Sequence, residues 1–339
     1  MADKHQLRII KRGAEAWNAW RRENPKVVPD LSRADLSNQK LMAAHLRGAN
    51  LEGVNFNRAN LGSANLSKAD LRHAKLQHTR LSQVNLLDAD LSYADLSGAW
   101  LNDSILIEAN FFRANLTDAK LINARLSGAI LIGTNLQNAN LKDSAVQSIF
   151  AWGIKMKGTN QTNLVVSHPK MPKIIVDNLE IAQLVHLRLY KENYSRHFNP
   201  IPEKIIVLLG HFSKTRSKVL ANIQDNIRQH GFIPLKVDCD ESTTPNFDTL
   251  TALTSLAQCI IVDATEPCAA MKTLQDIVFP LATPVHCILQ QNIQVYDIGS
   301  PKPFLPEKFF SPLFYESIDD LQDLFETHIF PQPEEEVLV

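Results

Sequence analysis

Residues 49–71 read ANLEGVNFNRANLGSANLSKADL, and the spacing inside this stretch decides the fold of the first half of the chain. Leu51, Phe56, Leu61, Leu66 and Leu71 stand five apart. Followed outward, the period holds at 24 consecutive positions from Leu31 to Val146, and every one is Leu except Phe56, Phe111 and Val146. Two residues before each stands Ala in 16 of the 24 cases, with Ser, Thr or Val in most others. The residue just before the Leu is most often Asn or Asp. A period of five fits neither a helix at 3.6 nor a strand at 2. It fits a square coil in which each five-residue side turns one large and one small side chain inward, and strict self-similarity at a fixed period predicts a solenoid.

These A-(D/N)-L-x-x units resemble the pentapeptide-repeat family. The resemblance implies a right-handed quadrilateral parallel β-helix with four units per turn, hence about six coils over residues 29–146 and a rod about 29 Å long at the usual inter-strand spacing. An open solenoid end exposes unpaired backbone and needs a cap. Leu7, Ile10, Ala14, Trp17 and Trp20, spaced three or four apart, predict one amphipathic helix over residues 5–23, ended by Pro25. This stretch is similar to the helix that precedes pentapeptide repeats in bacterial proteins. Beyond Val146 the motif blurs, and Thr162-Asn163-Leu164 reads as one displaced last unit.

The chain has 339 residues, 45% hydrophobic and 21% charged, with 35 bases against 36 acids and a net charge of −1. That balance gives no reason to expect nucleic acid or an anionic membrane as partner. No apolar run reaches the roughly 18–20 residues of a membrane span. MADKHQLRII lacks a signal-peptide core. Cys239, Cys259, Cys268 and Cys287 form no CxxC pair and no zinc-type spacing, so free thiols and a cytoplasmic location are expected, with no metal and no cofactor.

Some pentapeptide-repeat proteins mimic duplex DNA, which requires an acidic surface. Residues 29–146 carry 11 acids and 12 bases, so DNA mimicry is not expected. Outward positions 20 apart stack on one side of the coil. The early coils offer one large apolar outward residue, Met42. The later coils offer Leu87, Ile105 and Ile107 on one side, Phe112, Ile130 and Ile132 on the next, and Trp100 and Ile122 on the preceding one. Eight such residues on adjoining sides form a candidate interaction surface. It is covered either by the chain's own C-terminal half or by a protein partner or dimer mate.

Residues 165–202 read as a linker, VVSHPKMPK, followed by a helix carrying Ile181, Ala182, Leu184, Val185 and Leu189 on one face. From Lys204 short apolar strands (205–209, 232–237, 259–262 and 285–289) alternate with helices near 214–229, 247–257, 269–279 and 317–328. The alternation predicts a doubly wound parallel α/β sheet over 203–330, with its ligand crevice beyond the carboxyl ends of the strands. His211, Asp263 and Glu266 lie at those ends and are the candidate catalytic residues.

VDNLEIAQLV, VLLGHFS and CIIVDATEP resemble a bacterial C-terminal domain distantly similar to Toll/interleukin-1-receptor (TIR) domains, some of which cleave NAD. The resemblance implies an Arg after the first strand, where this chain has His211, and a Glu in a later helix, where it has Thr273. A Thr cannot support an oxocarbenium-like centre as a carboxylate does. The sequence therefore favours a non-catalytic interaction or scaffold protein. A nucleotide- or NAD-processing enzyme is the alternative. The tail, residues 331–339, reads as a disordered acidic segment. Its acidic run with apolar terminal residues resembles an export signal of secreted bacterial effectors, so an effector binding host proteins is a third reading.

Overall fold

The computed structural model describes residues 2–168, 171–190, 205–238, 247–254, 256–266, 283–291 and 313–330. The chain divides into two compact units: Met1–Val166 with Asn178–Leu184, and Ser167–Asp177 with the residues from Val185 onward.

In the first unit every fifth residue from Asp30 to Ala145 forms a parallel bridge with the residue twenty further on, the last partner being Val165. Twenty residues per turn and five per side make four sides, and 28 rungs make seven turns. The expectation of six coils is one short. The hydrogen-bond period runs on unbroken through Phe150, Lys155 and Asn160, although Leu no longer fills the central slot. Leu164 is likewise not a displaced unit: it occupies the slot two residues before Val166, and both are buried.

The repeat letters follow from this geometry. The central residue and the one two before it, such as Leu91 and Ala89, are buried on every side from Leu31 to Val146 except at Gln39. Burying each Leu contributes roughly 1.5–3 kcal/mol. A tight turn follows each centre: the Leu41 carbonyl accepts from the Ala44 N–H at 3.1 Å, and the second turn residue, Ala43, is left-handed at φ +57°. Asn or Asp precedes the centre because its side-chain oxygen accepts the N–H two residues on, as from Asp90 to Ser92 (2.9 Å) and Asn110 to Phe112 (3.0 Å). Where a hydroxyl takes the small slot, it donates to a nearby carbonyl, one turn back for Thr79, Thr134 and Ser144 and three residues back for Ser104. Thr79 bonds Phe56 at 2.8 Å and Thr134 bonds Phe111 at 2.7 Å.

The expected single helix over residues 5–23 is two, α1 (Lys4–Ile10) and α2 (Ala14–Glu23), broken at Gly13 with φ 107°. Their side chains take up polar groups of the first turn, which has no preceding turn to pair with. Trp17 is buried and its Nε1 donates to the His45 carbonyl at 3.0 Å. Asn18 donates to Ala43 and accepts from the His45 N–H, and Gln6 accepts from the Asp30 N–H at 2.8 Å. At the far end a short strand β1 (Leu164–Val165) completes the last turn. The first residues of α3 (Leu179–Tyr190) follow, and Gln183 accepts from the Ala151 N–H at 2.7 Å.

The second unit is a sheet of β2 (Lys173–Val176), β3 (Ile205–Gly210), β4 (Ile233–Asp238), β5 (Cys259–Asp263), β6 (Val285–Gln290) and β7 (Leu313–Tyr315), in the order β2-β4-β3-β5-β6-β7. The strands from β3 on are parallel, but β2 runs antiparallel to β4, with Ile174 opposite Val237. The sheet is therefore mixed, not purely parallel, and the segment read as linker and helix supplies its edge. One face buries Ile206, Leu208, Ile261 and Ile288 against Leu220, Ile223 and Ile227 of α4 (Ser217–Gln229) and Leu321 of α6 (Ile318–Leu324), with Phe325 of the π-helical turn Phe325–Ile329. Between β4 and β5 stands α5 (Phe247–Thr254). The helix expected over 269–279 and the tail from 331 lie outside the described residues. The chain steps to one side of β3 for β4 and to the other for β5, so the carboxyl ends of β3 and β5 flank the switch point of the sheet.

Candidate interaction surface and strand-end site

On the solenoid, the side centred on Leu91, Phe111, Leu131 and Ala151 turns apolar in its last three turns. Phe112, Ile132 and Trp152 are twenty apart and stack, as do Ile130 and Phe150 beside them. Phe150 and Trp152 are 48% and 52% exposed. Tyr93 heads the strip, stacked on His73 with ring centroids 5.2 Å apart and meeting Phe112 edge-on at 5.6 Å. Of the eight residues expected outward, Trp100 is well exposed, while Leu87, Ile105, Ile107, Phe112, Ile122, Ile130 and Ile132 are half-buried by neighbouring turns. Met42 in the early coils is exposed, as expected. The sequence reading missed Tyr93, and it missed Phe150 and Trp152 because it stopped counting where the Leu column stopped. Continuing the bare period of five would have found the last two.

In the α/β unit, the first loop after β3 returns Arg216 beneath the carboxyl ends of β5, β6 and β7. Its guanidinium donates to Asp263 Oδ2 at 2.5 Å, to Thr265 Oγ1 at 3.2 Å, to the Tyr315 hydroxyl at 2.5 Å and to Gln290 Oε1. Both members of the Arg216–Asp263 pair have side chains only 4% exposed. Burial alone would lower the Arg216 pKa, but the Asp263 charge and hydrogen bond outweigh it and the net shift is upward. Burial, with Asp263 beside it, also raises Tyr315. Asp263 has no free oxygen, since its Oδ1 accepts the Thr265 N–H at 3.1 Å. It is a tie between strands.

Glu266 is held by one oxygen, which accepts from Ser213 at 2.9 Å and Thr215 at 3.3 Å. His211 Nδ1 lies 3.9 Å from Asp238 Oδ1, which already accepts the Phe212 N–H. Among the described residues, His211 Nδ1, Arg216 Nε and Glu266 Oε2 are buried without a hydrogen-bond partner. The structure thus brings His211, Asp263 and Glu266 to the same end of the sheet and adds Arg216, which the sequence reading overlooked inside the polar run SKTRSK. Thr273 lies outside the described residues. Cys259 and Cys287 are free and buried, and burial pushes both thiols up to about 12, with Asp263 adding to the shift at Cys287. Among the described residues there is no cluster of three metal-ligating side chains, and no helix long and apolar enough to cross a membrane.

The model of the pentapeptide-repeat family matches residues 30–72, 69–106 and 109–144, in eight copies. Among solved structures the chain is similar to HetL, a pentapeptide repeat protein involved in heterocyst differentiation regulation from the cyanobacterium Nostoc. The identity is 27% over 42% of this chain and 76% of that one, with a TM-score of 0.25. It is similar to the pentapeptide repeat protein Rfr23 of the cyanobacterium Cyanothece, 35% identical over 31% of this chain and 62% of that one, with a TM-score of 0.21. QnrB1, a plasmid-mediated fluoroquinolone resistance protein, is 21% identical over 38% and 77%, with a TM-score of 0.22. A comparison with curated proteins gives no match.

Proposed function

We propose that this chain, whose N-terminal half is built of pentapeptide repeats, is a non-catalytic scaffold that binds another protein through the apolar side of its last three turns. The observation that carries the reading is the strip of Phe112, Ile130, Ile132, Phe150 and Trp152. Two of its aromatic rings are about half exposed on a rigid wall whose other positions are mostly polar or charged. Large rigid side chains on preformed backbone bind with little loss of conformational freedom, and Trp and Tyr dominate binding energetics at interfaces. In this reading α1 and α2 cap the open first turn. The test uses the full chain as bait: a partner identified with the native surface is lost with Phe112→Ser/Trp152→Ser and kept with Lys68→Ser, on the adjoining side. Retention by the double variant would contradict the proposal.

A second reading has one observation in its favour. Three of the buried polar atoms without hydrogen-bond partners among the described residues, on His211, Arg216 and Glu266, lie at the end of the sheet that holds the switch point, where nucleotides bind in sheets of this winding. Turnover of NAD by the full chain, abolished by Glu266→Gln, would support a TIR-like enzyme. Failure to bind NAD or other nucleotides at about 1 mM would remove it. The effector reading rests on residues 331–339, outside the described residues, and export of a chain lacking them would end it.

A further inference from the structure

A different corner of the solenoid carries a basic cluster. Trp100 is 43% exposed, and two cations from the turns on either side close on its ring: Arg80 at 5.5 Å and Lys120 at 4.8 Å from the ring centroid. Lys40 stands in the same column two turns before Arg80, and the column beside it, two residues back in sequence, holds Arg58 and His78. An open cleft of about 440 Å³ includes Arg58 and His78 in its wall. The His78 ring lies over Gly98, where an added Cβ would fall 2.4 Å from Nδ1. Lys40, Arg58, Arg80 and Lys120 make no ion pair among the described residues. Asp118 shares the column of Arg58 and His78, and Asp35 and Asp95 share the column of Asn55, which lines the cleft. Asp35 bonds Ser37 and Asn55, and Asp95 bonds Ser97, Gln77 and Asn115.

We infer that this corner binds an extended acidic segment of a partner protein, its carboxylates seated on Arg58, Arg80 and Lys120. Trp100 acts as a spacer: it holds two long cationic side chains in fixed places, so less rotamer entropy is lost when they take up carboxylates. The same contacts argue against other anions. With Arg80 and Lys120 closing on the indole, it offers no open platform for a nucleobase or a sugar ring. The cleft amides Asn57 and Gln77 are already bonded, Asn57 to Gln77 at 2.7 Å and Gln77 to the Asp95 carboxylate at 2.7 Å, so they have little left for hydroxyl groups. With 11 acids among its 23 charged residues, the repeat segment also lacks the continuous basic track a nucleic acid follows.

The experiment titrates the full chain into a fluorescent ten-residue glutamate-rich peptide and follows anisotropy. Saturable binding is expected, weakened at least tenfold by Arg80→Ser/Lys120→Ser and severalfold by Trp100→Ser, and unchanged by Arg47→Ser, a cation on another side. All these positions are exposed, and a circular dichroism melt of each variant confirms its fold. Absence of saturable binding at about 1 mM chain would overturn the inference. Equal weakening by Arg47→Ser, or tighter binding of oligothymidylate or of heparin at the same residues, would overturn it too.

Discussion

The Arg216 guanidinium and the Asp263 carboxylate meet at 2.5 Å beneath the ends of three strands, with 4% of each side chain exposed. A pair this deep contributes little net stability compared with apolar side chains of the same size, but leaving one charge alone there is costly. Asp263→Asn in the full chain should destabilise the α/β unit by about 3–5 kcal/mol, read from chemical unfolding. The joint replacement Arg216→Met/Asp263→Leu should recover most of that loss. A catalytic Asp263 would behave differently, losing activity in Asp263→Asn without a comparable loss of stability.

The solenoid register is tested at Leu91, which is fully buried in the fourth turn. Leu91→Asp places an unpaired charge in the apolar column and should cost more than about 3 kcal/mol, unfolding neighbouring turns with it. An unchanged thermal melt would show that the inward column has been assigned to the wrong residues.

Thr134 makes a gentler probe. Its hydroxyl satisfies the Phe111 carbonyl at 2.7 Å inside the wall. Thr134→Val keeps the shape and removes the donor, so a loss of about 1 kcal/mol is expected, while Ala129→Val, in the same slot of the preceding side, should cost about 1–3 kcal/mol through overpacking. Chemical unfolding of the two variants would separate the hydrogen bond from the volume.

Burial lowers the His286 pKa, and the neighbouring His328 charge lowers it further. With the folded value depressed, the unfolded chain binds the proton first as pH falls below about 6.5. The α/β unit should therefore hold its full stability above that pH and lose it on acidification. His286→Gln should flatten the dependence below about pH 6.5, measured by urea unfolding. An unchanged slope would assign the acid sensitivity to other groups.

The legible parts of this molecule were those with a period. Leu and Ala at fixed spacing named the inward columns of the wall from Leu31 to Val146, and even the Asn/Asp preference has a local cause in the turn it closes; the burial of Ser32, Ser67 and Ser92, just outside those columns, carried no such signal. The same habit hid Phe150, Trp152 and the seventh turn, because the backbone keeps the period there while the letters change. Strands β3 to β6 were visible as apolar runs bounded by polar loops. Strand β2 was not, since KIIV is only four residues long and follows Pro172 in what reads as a linker, and only its partner β4 makes it a strand. Gly13 inside an otherwise helical spacing marked the break between α1 and α2, and the apolar spacing on both sides of it masked the signal. Arg216 carried no signal at all: in SKTRSK it looks like one more solvated cation, and its burial depends on Asp263, Gln290 and Tyr315, which lie 47, 74 and 99 residues away.

The central claim is that the apolar side of the last three turns is the surface that meets a partner. A photo-crosslinking amino acid placed singly at Ile132, Phe150 or Trp152, and at Lys68 as a control on the adjoining side, reads this most directly in cells expressing the full chain. One discrete protein adduct is expected, shared by the three apolar-side positions and absent from the control. Equal labelling at Lys68, or no adduct from any of the three, would contradict it.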